Sequence, residues 1–263
     1  MAFEIIQVPK RIPEIRSPVL VEGLPGIGNV GKIAVDFIIE QLKPKLVYLI
    51  YSDSFSNSVF VNEHNLIEVP HVKLYFKKMT GAHDLLILAG DFQPVDERAS
   101  YEFAEEIVNL FRKLGGHEII TLGGIGLSSP PESPKIYCTG TDEGIVRRYV
   151  KGTGMQSKLF GFVGPIIGAA GLIPGIAKKR GIPAAIILAE TFAHPMYLGV
   201  RGAREIIRVL HQKLGIKVDL KRVDNNIREI DRQLKVLPAG EQKLKHDIVG
   251  KIQKSPRDMN YIG

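Results

Sequence analysis

The chain has 263 residues, 44% of them hydrophobic and 24% charged, a balance that excludes global disorder and suits one large domain, alone or with an appendage. Its single cysteine, Cys138, excludes an intramolecular disulfide and any multi-cysteine metal site, and fits a reducing compartment. The net charge is +7, but residues 217–263 hold eleven Lys/Arg against seven Asp/Glu, no run of five basic residues occurs and no basic strand is studded with aromatics, so nucleic-acid binding is not the expected function.

The N-terminus, Met1-Ala2-Phe3-Glu4, leads into no basic segment followed by an apolar run, so no signal peptide is expected and the chain reads as cytoplasmic. Residues 18–22 form a short apolar run that stops at Gly23. Over 29–42 the apolar residues fall at 30, 33, 34, 37, 38 and 42, which is helical spacing. Residues 45–51 (KLVYLIY) read as a buried strand, and 59–61, 66–69 and 72–76 as short strands around polar turns, a hairpin insertion. Residues 85–89 (LLILA) have no polar face, as in a sheet covered on both sides. A long amphipathic helix is expected over 95–114, ended by Gly115-Gly116, then a strand over 118–122 and a glycine turn, Gly123-Gly124-Ile125-Gly126. Residues 159–177 carry no charge, but five glycines and two prolines make a tightly packed strand, turn and helix the better reading than a membrane span. A strand over 183–189 and a helix over about 200–214 follow.

The β-α-β-α rhythm predicts a parallel or mixed sheet between helix layers, in an α/β core domain over 1–216. Beyond it, Leu220, Val223, Ile227, Ile230, Leu234 and Leu237 step by three and four, the seam of an amphipathic helix that packs on its own domain or between subunits. Pro238-Ala239-Gly240 breaks this helix, and Leu244, Ile248 and Ile252 share one face of a second. Residues 217–254 therefore read as a helical hairpin, and 255–263, released by Ser255-Pro256, as a flexible tail.

Gly26-Ile27-Gly28-Asn29-Val30-Gly31-Lys32 follows a strand and opens a helix. It fits G-x-G-x-x-G, with Asp53 twenty-two residues after Gly31, and also G-x-x-x-x-G-K. Against a phosphate site, Ile33 replaces the magnesium-binding hydroxyl and Pro25 removes a backbone donor, though Asp91 could stand as an acidic metal partner. The favoured reading is a structural turn at Gly26, Gly28 and Gly31; the alternative is a nucleotide-binding enzyme using the 26–32 loop. The seven histidines form no metal-binding pattern, and Ser128-Ser129 lacks a nucleophile elbow. No catalytic residue, cofactor or metal is expected.

The sequence Gly23-Leu24-Pro25-Gly26-Ile27-Gly28-Asn29-Val30-Gly31 resembles the signature of archaeal members of the proteasome assembly chaperone family, relatives of the second eukaryotic assembly chaperone. The likeness extends through Leu122-Gly123-Gly124-Ile125-Gly126, the glycine-rich stretch 161–175 and Leu188-Ala189-Glu190-Thr191, and covers about residues 15–215. It implies a three-layer α/β/α sandwich with a mostly parallel sheet, similar to nucleoside phosphorylases but without their active-site residues. It further implies a homo-oligomer with a non-catalytic role, as assembly chaperone or activator, on the α subunits of the proteasome core particle. Some family members and proteasome activators dock through a C-terminal hydrophobic-Tyr-any tail. Here the tail offers Met259, Tyr261, Ile262 and Gly263, with Tyr261 third from the end, a displacement of one residue.

Overall fold

The computed structural model describes residues 3–228 apart from Glu63, Val95 and Asn226. In chain order the elements are β1 (Glu4–Gln7), β2 (Val19–Gly23), α1 (Val30–Leu42), β3 (Lys45–Tyr51), β4 (Phe60–Val61), β5 (Ile67–Glu68), β6 (His71–Lys77), β7 (Leu85–Gly90), α2 (Glu97–Lys113), β8 (Glu118–Leu127), β9 (Ile136–Gly140), α3 (Glu143–Val150), α4 (Ala169–Lys179), β10 (Ala184–Phe192) and α5 (Val200–Leu214). Eight strands form one mixed sheet in the order β1-β3-β6-β7-β2-β8-β10-β9, and β4 and β5 pair separately as a small hairpin. The four central strands, β7, β2, β8 and β10, run parallel, while β1, β3, β6 and β9 join by antiparallel pairings.

Side-chain alternation along the buried strands builds two cores. Leu85, Ile87 and Ala89 of β7, with Val19 and Val21 of β2, meet α1 and α5 on one face. Leu86, Leu88 and Leu20 point the other way, onto α2 and α4. A strand with two apolar faces thus holds a helix layer on each side, which is why LLILA needs no polar position. The helix ends follow local chemistry. The Asp96 carboxylate caps α2 by accepting from Ala99 N–H at 2.9 Å, and Gly215, at φ +64°, closes α5 in the left-handed region.

Two expectations change, and three elements were not foreseen. The strand expected over 118–122 continues to Leu127, so Gly123, Gly124 and Gly126 are not a turn. They pair in parallel with Leu188, Ala189 and Thr191 of β10, and the backbone bonds of that ladder keep them extended. The charge-free stretch 159–177 is a non-helical loop followed by α4, with no strand in it. No described helix is long and apolar enough to cross a membrane. Finally, β1, β9 and α3 were not legible in the sequence.

Pro174 lies inside α4 and cannot donate to the carbonyl of Ala170. That carbonyl instead accepts the Thr121 hydroxyl from β8 at 2.7 Å. The helix therefore keeps its proline without a buried orphan acceptor.

Candidate functional site

The strand register puts the ends of β3, β7, β2, β8 and β10, and the starts of β6 and β9, at one edge of the sheet: Tyr51 pairs with His71, Val72 with Gly90, Ala89 with Gly23, Leu127 with Phe192, and Ala189 with Ile136. In α/β folds this carboxyl edge is where ligands and partners meet loops. Here it carries the glycine turn.

The turn is folded down onto β8 and β10. Gly28 has φ +61°, and a Cβ there would run into the Thr191 hydroxyl. A Cβ on Gly124 would collide with the Ile27 carbonyl, and one on Gly31 would sit 2.5 Å from the Leu122 carbonyl oxygen. Gly26, by contrast, has open space where a Cβ would stand. Three of these glycines thus serve close approach between turn and strands. The Gly28 carbonyl accepts Gly199 N–H at 2.7 Å, and Asn29 N–H is bonded back to the Gly26 carbonyl.

Lys32, the position of a phosphate-loop lysine, is buried and bridges two carboxylates: Asp36 on its own helix and Asp91 after β7, at 3.0 Å. Asp91, the candidate metal partner, is therefore paired with the lysine. Gln93 ties three loops together. Its amide donates to the Pro25 carbonyl, and its carbonyl oxygen accepts Ala169 N–H at 2.9 Å, at the start of α4.

Two buried carboxyls stand on this part of the sheet. Glu22, on β2, is almost fully enclosed; one oxygen accepts Leu24 N–H at 2.9 Å and the other has no partner. Burial raises its pKa to about 8, so it is largely protonated at neutral pH. The Glu190 carboxylate accepts Lys135 N–H and the Tyr137 hydroxyl, each at 2.9 Å. Burial foremost, then this bond, pushes Tyr137 up to about 12. His194 Nδ1 accepts instead from Met196 N–H. Burial likewise lifts the Cys138 thiol to about 12, so it is not a poised nucleophile. Among the described residues, no group of His, Cys, Asp or Glu side chains is arranged to hold a metal ion.

Of the seam residues, Val223 is completely buried in the core beneath α1 and α5, and Leu220 and Ile227 pack partly against the same core. Polar contacts fasten this stretch: Asp219 N–H to Gln41, Arg222 to Glu40 at 3.0 Å, and Arg204 Nε to Asp224 at 2.9 Å. Ile230, Leu234 and Leu237, and the tail residues Met259, Tyr261, Ile262 and Gly263, lie outside the described residues. Sequence reading missed Gln93 and the part Glu22 plays; Thr191 was noted only within the motif Leu188-Ala189-Glu190-Thr191, without its contact to the glycine turn. Glu22 had a signal, as the one charged residue in the apolar run VLVEG, and Gln93 had none.

A family model described as the PAC2 family matches residues 20–237. The fold is similar to the crystal structure of Pyrococcus furiosus PbaB, an archaeal proteasome activator, at 28% identity and a TM-score of 0.82, covering 89% of this chain and 98% of that one. It is also similar to Pyrococcus furiosus PbaA, an archaeal homolog of proteasome-assembly chaperone, at 22% identity and a TM-score of 0.71, covering 95% and 99%. An uncharacterized protein of Methanocaldococcus jannaschii is 26% identical over 255 residues, 97% of this chain and 95% of the relative.

Proposed function

Because the chain belongs to the PAC2 family, we propose that it is a non-catalytic, oligomeric partner of the proteasome core particle, of the assembly-chaperone and activator class. The likeness to the activator PbaB, over nearly the full length of both chains, carries this reading. In it, the protein works in the cytoplasm, engages the α subunits of the core particle and presents its C-terminal tail to them. An aromatic with a polar tip and an aliphatic neighbour give Tyr261 and Ile262 the chemistry of a docking segment, with Gly263 beside them and Met259 as an added apolar contact. An oligomer offers several tails at once, so weak single contacts gain strength by effective concentration.

The site geometry supports a binding role over nucleotide chemistry. Gly28 and Gly124 are used for contact with Thr191 and Ile27, and the Lys32 ammonium is held by Asp36 and Asp91.

A pull-down of archaeal core particle with the full chain and with a chain lacking residues 257–263 tests the reading. Capture by the full chain, sharply reduced on truncation with oligomer mass unchanged, is expected. No capture by the full chain overturns the function; equal capture by both moves the contact from the tail to the α/β body. Micromolar binding of ATP or NAD, abolished in Lys32→Ala, would favour the nucleotide enzyme instead.

A further inference from the structure

The carboxyl edge of the sheet is also where the molecule leaves its apolar side chains in water. Of the thirteen large apolar residues exposed among the described residues, ten lie on this edge. They sit on the β4–β5 hairpin and its flanks (Ile67 at 76%, Leu66), on the glycine turn (Ile27), on the loop before α4 (Phe160 at 105%, Phe162, Ile167) and after β10. The other three are scattered over β1, the residue after it and α2. The clustering follows from the topology: the insertion between β3 and β6, the β2–α1 turn and the loop before α4 all open onto one edge.

These segments are physically joined. The Phe60 ring of the hairpin packs at a tilt against Phe92, 5.1 Å between centroids. The next residue, Gln93, bonds both Pro25 of the turn and Ala169 at the end of the loop. Within the loop, Phe162 packs on Tyr137 at 5.2 Å, and Val163 and Ile166, like Ile125 of β8, pack against the cluster of Tyr137, Leu159, Ile186 and Leu188.

Size and charge identify the occupant. The ten exposures amount to about six whole side chains, roughly 600–1,000 Å² of apolar surface. That is at or above the largest patch of a typical soluble monomer, and near one partner's share of a stable interface, about 800 Å². The edge loops hold seven charged side chains among 56 described residues, about one in eight, against 24% for the chain. Depletion of charge around an apolar centre marks the core of a protein interface, and interfaces between copies of one chain are the more apolar kind. A partner met only at times would leave this surface open to aggregation in between. A second copy is present whenever the first is.

We infer that the carboxyl edge, centred on Phe160, Ile167, Ile27 and the β4–β5 hairpin, is the surface through which copies of this chain associate. The inference rests on the oligomeric part of the function proposed above and assigns it a place. The test is the solution mass of the full chain by light scattering, for the wild type, Phe160→Glu, Ile67→Glu and the double variant, with Tyr101→Glu on exposed α2 as control. The wild type and Tyr101→Glu should run as one oligomer. The double variant should fall toward the 29.1 kDa of a single chain with unchanged circular dichroism. A monomeric wild type overturns both this assignment and the oligomeric reading beneath it. An oligomeric wild type whose mass the edge variants leave intact overturns the assignment alone. If those variants keep their mass but lose capture of the core particle, the edge belongs to that partner and the assignment also fails.

Discussion

The Thr121 hydroxyl, on the central strand β8, donates to the carbonyl of Ala170 in the first turn of α4, 2.7 Å away; the threonine is fully buried and Ala170 partly so. Pro174 has no N–H to offer that carbonyl, so a strand side chain replaces a helix bond. Thr121→Val keeps the shape and removes the donor. It should lower stability by about 1 kcal/mol, the net worth of one hydrogen bond at a partly buried acceptor, while Thr121→Ser retains most of it. Urea unfolding of the three proteins measures the difference; equal midpoints for Val and Thr would mean that the carbonyl finds another donor.

The glycine turn makes a graded prediction. Gly28→Ala places a methyl group against Thr191 and in a left-handed backbone conformation, so it should cost about 2 kcal/mol or more. Gly26→Ala meets nothing within 4 Å and its φ is −162°, so it should be within about 0.5 kcal/mol of wild type. Thermal unfolding of both variants checks the order, and a tolerated Gly28→Ala would refute the close packing of turn on β10.

Glu22 should make stability depend on pH. Its folded pKa, about 8, stands above the ordinary 4.5, because burial penalises the charged form. The folded state thus holds a proton that the unfolded chain releases. The contribution is complete below about pH 4.5 and is lost as the pH climbs toward 8, at up to about 1.4 kcal/mol per pH unit. Glu22→Gln keeps an acceptor for Leu24 N–H and does not ionise. Unfolding free energies at pH 5 to 8.5 should fall for the wild type and stay flatter for the variant; parallel profiles would place the titration elsewhere.

Val223 is fully enclosed beneath α1 and α5, so Val223→Asp should cost about 3 kcal/mol or more by burying an unpaired charge. Lys221→Ala, on the same helical stretch but exposed, should be near neutral. Chemical denaturation compares them; a mild Val223→Asp would mean that residues 220–228 detach without loss to the core.

The strongest periodic signals were readable without coordinates. Residues 85–89 announced a strand covered on both faces, and 45–51, 200–214 and the spacing over 30–42 held because each pattern matches the face its element buries. The short elements were not readable. The four residues of β1 and the five of β9 are strands because β3 and β10 offer them an edge, and nothing in EIIQ or IYCTG says so alone. Gly123–Gly126 looked like a turn because glycine punctuates loops in isolation.

What the sequence determined by itself is the set of apolar stripes, the breaks between them and the glycine signature that resembles the PAC2 family, since periodicity and steric permission are local properties. What only the tertiary structure decided is which partner each polar or glycine residue serves. Gly28 meets Thr191, 163 positions later; Lys32 meets Asp91; Gln93 joins Pro25 to Ala169; and loops far apart in the chain bring Ile27, Ile67 and Phe160 to one edge. These meetings are set by strand order, which arises from long-range pairing and from no residue's own preference.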